Sequence, residues 1–128
     1  MKYAIIADIH SNLEAFEAIL NDAKEANCTH FACLGDVVGY GADPKRCLDI
    51  VREMEMPCVK GNHDEYCGSE MDLAGFNQHA SQAVIWTREQ LTDEDRSWLN
   101  DLKYLRLVSN FTIVHATLDA PRKWQYVF

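Results

Sequence analysis

Tyr3-Ala4-Ile5-Ile6-Ala7-Asp8-Ile9-His10-Ser11-Asn12-Leu13-Glu14 carries an apolar run, a polar turn and a helix start in immediate succession. The same grammar returns twice. His30-Phe31-Ala32-Cys33-Leu34 leads into Gly35-Asp36, and Cys58-Val59 leads into Gly61-Asn62-His63-Asp64. Each apolar run reads as a short buried strand, and helical periodicity fills the intervals, so the first sixty residues predict β-α-β-α-β. Such alternation implies right-handed crossovers and a parallel sheet with both faces covered. The polar clusters then meet beyond the carboxyl ends of the strands, where open α/β sheets bind ligands.

The helix signals follow the same frame. Ser11 and Glu14 read as a capping box ahead of a stripe of Leu13, Phe16, Ile19, Leu20 and Ala23. Asp43 is placed as an N-cap with Pro44 at the first helical position, and Cys47, Leu48, Val51 and Met54 form the apolar face. Asn77 opens a helix running to Leu91, and Thr92 with Asp95 caps another that carries Trp98, Leu99 and Leu102. Trp86 and Trp98 are expected in the core. Leu105–Val108 and Phe111–Val114, separated by Ser109-Asn110, predict a hairpin, and His115 follows its second strand directly.

The chain of 128 residues suits a single domain, and its net charge of −8 argues against duplex nucleic acid or an anionic membrane as a partner. The five cysteines show no C-x-x-C spacing, and the N-terminus enters a strand without a leader. Reduced core thiols in a cytoplasmic protein are the expectation. His30 and His79 read as structural or exposed. Arg46, Arg52 and Lys60 read as solvated, with Lys60 near enough to the third cluster to meet an anion.

The clustered side chains are metal donors. Asp8 and Asp36 offer hard oxygens, and the two oxygens of Asp36 allow it to bridge two ions. His10 and His115 offer imidazole nitrogen, and Asn62 a neutral carbonyl. That mixture suits manganese, iron, nickel, cobalt or zinc better than calcium. Taken singly, Asp8 also suits a turn cap, Asp36 a loop closure, Asn62 a left-handed position and His115 a histidine packed at a sheet edge. Three clusters at successive strand ends favour the metal site.

Asp8-Ile9-His10, Gly35-Asp36-Val37-Val38-Gly39 and Gly61-Asn62-His63-Asp64, in this order and spacing, resemble the calcineurin-like metallophosphoesterase family, and within it the phosphodiesterases of the YfcE type. The resemblance implies an α/β fold, a β-sandwich flanked by helices, whose two divalent ions (manganese the first choice) activate a water that hydrolyses phosphate mono- or diesters. Carried over, Asp8 and His10 bind the first metal, Asp36 bridges, and Asn62 with His115 binds the second. His63 contacts the phosphate and protonates the leaving oxygen, with Asp64 orienting and charge-supporting its imidazole. The family's later Gly-His-x-His motif does not occur in this chain, and Ala116 stands where a glycine is common. The expectation is therefore one domain over residues 1–128, the N-terminal half to two-thirds of the fold, incomplete at its C-terminus. A small phosphate ester or nucleotide is the expected substrate. The alternative is a catalytically incomplete fragment that binds metal or phosphate, or that associates with itself or a complementing chain.

Overall fold

The first two apolar runs form β1 (Tyr3–Ile6) and β2 (His30–Cys33), paired in parallel with Ile5 opposite Ala32, in a computed structural model that describes residues 1–128. The helix α1 (Leu13–Glu25) makes the crossover between them. Cys58 and Val59 continue the sheet only as isolated parallel bridges, to Cys33 and to Lys103 respectively.

Alternation along the strands divides the interior. Ile6 and Cys33 enter the main core, where they meet Phe16 of α1 and Cys47, Leu48 and Val51 of α2 (Pro44–Glu53). The opposite sheet face turns Ala32 and Tyr3 toward Val108 and Ile113. Those two come from the hairpin of β3 (Leu105–Val108) and β4 (Phe111–Val114), which pair antiparallel across Ser109-Asn110 as expected. Sheet packs on sheet with helices outside, so the α/β expectation holds.

The helical section also matches its signals. The cluster helix α3 (Asn62–Gly68) is followed by α4 (Gln78–Gln90), capped by Asn77, and α5 (Asp93–Asp101), capped reciprocally by Thr92 and Asp95. None of the helices is long and apolar enough to cross a membrane.

Four local expectations need correcting. The α1 cap is Asn12, whose Oδ1 accepts from the Ala15 N–H at 3.1 Å, because Ser11 sits in a left-handed conformation at φ 58°. Ile19 and Met54 lie at the solvent edge of their helices rather than under the sheet. Trp86 is 40% exposed on α4, whereas Trp98 packs against the core as expected. Lys60 is buried, and its ammonium donates to the Asn100 carbonyl at 2.9 Å instead of reaching solvent. The cysteines are all free, with Cys33, Cys47, Cys58 and Cys67 buried, as small core residues should be.

Candidate metal centre

Backbone hydrogen bonds lace the first two polar clusters together before any side chain is considered. The Asp8 N–H donates to the Gly35 carbonyl at 3.0 Å, His10 N–H to Asp36 at 2.9 Å, and Ser11 N–H to Val37 at 3.0 Å. Asp8, His10, Ser11, Asp36 and Tyr40 all hold positive φ, between 45° and 60°. Side chains of that size visit this region at a cost, and concentrations of such residues mark sites where geometry is imposed by the surroundings.

The donor set converges on Asp36. Its Oδ2 lies 3.4 Å from Nε2 of His10 and 3.4 Å from Nε2 of His115. Asp8 Oδ1 is 4.0 Å from the same His10 nitrogen. Two groups result, Asp8 with Asp36 and His115, and His10 with Asp36 and His63, each with its donor atoms within 4.8 Å of one another. A cavity of about 500 Å³ opens over them, and Asn62 lines it too. Every residue named from sequence as a metal donor therefore borders one space. A larger cavity of about 630 Å³, walled by Arg52, Trp98 and Lys103, lies elsewhere and contains none of these donors.

The histidine tautomers follow from their partners. His10 Nδ1 lies 3.1 Å from the Val38 carbonyl and His115 Nδ1 lies 2.7 Å from the Leu34 carbonyl. A carbonyl only accepts, so each Nδ1 carries a proton, and Nε2 is the nitrogen left to face the Asp36 carboxylate, as a lone pair whenever the ring is uncharged. Lone pairs facing a carboxylate repel unless a proton or a cation lies between them. Divalent metal ligated by Nε2, with Nδ1–H anchored to a backbone carbonyl, is the arrangement that relieves this. The donors thus fit a divalent transition metal, or two, on chemistry and on aim.

Without a cation the site draws protons instead. Burial works against charge on His115, but the neighbouring Asp36 carboxylate outweighs it and raises the imidazole to about 9. Burial by itself would raise Asp36, yet His115 and the other two imidazoles hold it below the usual carboxylate value. Asp36 Oδ1 accepts the His63 N–H at 3.0 Å, so it is Oδ2 that faces both imidazoles. Asp36 would help hold a cation beside these imidazoles, supplying carboxylate oxygen to it.

His63 lies at the second position of α3, where Gly61, the residue before the helix, lets the turn close on Asp36. A methyl group added at Gly61 would come within 2.7 Å of the Asp36 Cγ. The His63 ring is packed among His10, Tyr40 and Phe76 with centroids 4.9, 4.6 and 5.3 Å away, and its Nδ1 is buried without a partner. Burial lowers its proton affinity, disfavouring the charged ring. Gly39, at φ 92°, makes room for this ring, since a Cβ there would stand 2.7 Å from Nδ1.

Asp64 requires a correction. Its carboxylate makes no bond to His63. Oδ2 accepts from the Asp36 N–H at 2.7 Å and the Gly61 N–H at 2.9 Å, and Oδ1 from Val37 at 2.9 Å and Val38 at 3.3 Å. The residue is fully buried, and burial pushes its carboxyl up to about 7 against the pull of those amides. Its position, three residues after Gly61, is the acidic half of a helix-capping pattern, and that signal identifies the role. Tyr40, Trp124 and Tyr126 also wall the cavity; the aromatic run Trp124–Phe128 stands out in the sequence as apolar, but nothing there singles out Tyr40.

Comparison with known proteins finds relatives of this chain. Residues 1–126 match the family model of the calcineurin-like phosphoesterases. An uncharacterized protein of Methanocaldococcus jannaschii, MJ0912, is 36% identical over 98% of this chain and 53% of its own length. The crystal structure of a metallophosphoesterase from Sphaerobacter thermophilus superposes with a TM-score of 0.84 at 37% identity, over 100% of this chain and 51% of that one. The structure of hypothetical protein PH1004 from Pyrococcus horikoshii shares the fold, with a TM-score of 0.69 at 21% identity, over 83% of this chain and 49% of that one. The chain spans about half the length of these relatives.

Proposed function

Since the chain belongs to the calcineurin-like phosphoesterase family, we propose that it provides the metal-binding part of an enzyme that hydrolyses phosphate mono- or diesters. The observation that carries this reading is the aim of His10 Nε2 and His115 Nε2 at one Asp36 oxygen, both at 3.4 Å. By the family resemblance Asp8, His10 and Asp36 would hold a first ion, and Asp36, Asn62 and His115 a second, whereas the donor atoms as they stand group Asp8 with His115 and His10 with His63 about Asp36. When bound, divalent ions, manganese first among them, supply Lewis acidity toward a phosphoryl oxygen and a water acidic enough to lose a proton near neutral pH.

The remaining roles belong to this chain's own groups. The Val38 and Leu34 carbonyls hold the two imidazoles in the ligating tautomer. His63, whose proton affinity burial lowers, gains in proton affinity when an anionic phosphate arrives beside it, because a nearby negative charge favours the imidazolium formed with a proton from solvent. It then gives that proton to the departing oxygen. Asp64 is a positioning residue, fixing the turn that presents Asp36. The net charge of −8 supports a small ester or nucleotide over duplex nucleic acid as substrate, and the free thiols support a cytoplasmic setting.

Hydrolysis of an aryl phosphate with added Mn²⁺ tests the proposal. Asp36→Asn is expected to lower turnover by about 100-fold or more and to weaken Mn²⁺ binding in parallel. Unchanged turnover in that variant overturns it. A second reading, metal or phosphate binding without turnover, draws on the three side chains available to each donor group. Tight Mn²⁺ binding by an inactive wild type would favour that one.

A further inference from the structure

Two cavities meet at Asp8, His10 and Tyr40. One is the space over the metal donors. The other, about 450 Å³, lies between the start of α1 and the turn before α2, with Asn12, Glu14 and Asp43 on its walls. Tyr40 stands between them. Its backbone is held at φ 60°, a conformation that bulky residues rarely adopt, and the residue is nonetheless 54% exposed. One edge rests against His10 at a centroid distance of 5.0 Å and the ring tilts over His63 at 4.6 Å. An aromatic ring fixed on one side by the two histidines and open on the other offers a flat apolar surface beside the place where a phosphate would sit. The second cavity has the size of a small-molecule subsite. Apart from Asp8, assigned above to a metal, its charged walls are Glu14 and Asp43, with no lysine or arginine among them. Carboxylates accept from hydroxyl and amine groups and repel a further phosphate.

We propose that Tyr40 is a specificity-determining residue, stacking the planar organic group of a phosphate ester whose hydroxyl- or amine-bearing far end enters the acid-walled cavity. This rests on the phosphoester reading above. The ester it describes carries a single phosphate and a flat ring system, as a nucleoside monophosphate does, and a nucleoside polyphosphate fits it poorly.

Adenosine 5′-monophosphate, adenosine 5′-diphosphate and glycerol 3-phosphate are the probes, each followed by steady-state kinetics and by calorimetric binding in the presence of Mn²⁺. Tyr40→Asn removes the flat face while tolerating the left-handed backbone, and Tyr40→Phe keeps the face. In Tyr40→Asn the preference for adenosine monophosphate over glycerol phosphate should fall about 5- to 30-fold, mostly in KM, and the binding preference should fall with it. Tyr40→Phe should retain both preferences, and the diphosphate should bind more weakly than the monophosphate. An unaltered preference in Tyr40→Asn, an equal loss in Tyr40→Phe, or tighter binding of the diphosphate overturns the assignment. If the wild type turns over none of the esters, the phosphoester reading fails, while the calorimetric preference still decides the role of Tyr40.

Discussion

Replacing Asp64 by asparagine should unfold the chain more than it should change any chemistry. The wild-type carboxylate takes two backbone N–H groups on each oxygen, with three of the four donors at 2.7–2.9 Å and the Val38 amide at 3.3 Å. Asparagine keeps one accepting oxygen and turns an NH₂ group toward the other pair of donors. Two buried amides then lose their acceptor, at about 1–3 kcal/mol each, so the variant should be less stable by roughly 2–6 kcal/mol. A chain of this size gains or loses about 4 °C of Tm per kcal/mol, which predicts a fall near 15 °C. Thermal melts at pH 8 compare the ionised carboxylate with the amide, and because burial raises the carboxyl to about 7, the cost of ionisation there offsets part of this gap. Mn²⁺ affinity should also drop about 10-fold or more, because the turn that aims Asp36 is no longer pinned. A variant melting within a few degrees of wild type, with only the pH profile of turnover altered, would refute this and return Asp64 to the role of a partner for His63.

Further outcomes follow from the same coordinates. Gly61→Ala places a methyl within 2.7 Å of the Asp36 Cγ and should weaken Mn²⁺ binding measured by calorimetry by about 10-fold, whereas Gly75→Ala, where a Cβ meets nothing within 4 Å, should not. At Asp95, burial raises the carboxyl, but the Thr92 N–H and the Lys45 ammonium outweigh it and hold it below its ordinary value. A depressed folded-state value contributes stability above the unfolded-state value and loses it as pH falls through the folded one. Urea melts should therefore show wild type exceeding Asp95→Asn by about 1–2 kcal/mol near neutrality, with the gap closing below about pH 4; a gap constant down to pH 2 would contradict the charge pairing. Burial pushes the Cys47 and Cys67 thiols up to about 12, so a thiol reagent at pH 8 should label Cys28 first, with the buried cysteines reacting only at the rate of opening.

The parts of the molecule legible in the sequence were those written in short-range chemistry. Apolar runs ending in Asp8, Asp36 and Gly61, the Thr92–Asp95 cap and the Ser109-Asn110 turn each declare themselves over a few residues, and together they set the order and pairing of β1 to β4. The donors were legible because carboxylate and imidazole at strand ends have few other uses in such number. What stayed hidden depends on residues distant in the chain. Asp64 looks like a partner for the adjacent His63, but three of its four donors are amides 26–28 positions away, and only its capping spacing to Gly61 is local. Lys60 looks solvated until α5 brings the Asn100 carbonyl over it. Trp86 has core composition and helical spacing, yet α4 turns it outward because Val84 and Ala80 occupy the buried stripe. Tyr40 lacked a signal altogether, since its significance lies in an exposed face and a left-handed backbone that only the folded loop reveals.

The central claim is that Asp8, His10, Asp36, Asn62 and His115 surround cation positions shared through Asp36. Crystals grown with Mn²⁺ and measured at a wavelength that excites its anomalous scattering test it directly. The account predicts strong anomalous peaks within coordination distance, about 2.0–2.3 Å, of Asp36 Oδ2 and of the His10 and His115 Nε2 atoms. Peaks located only at other carboxylates, with the two imidazoles still 3.4 Å from Asp36 and nothing between them, would contradict it.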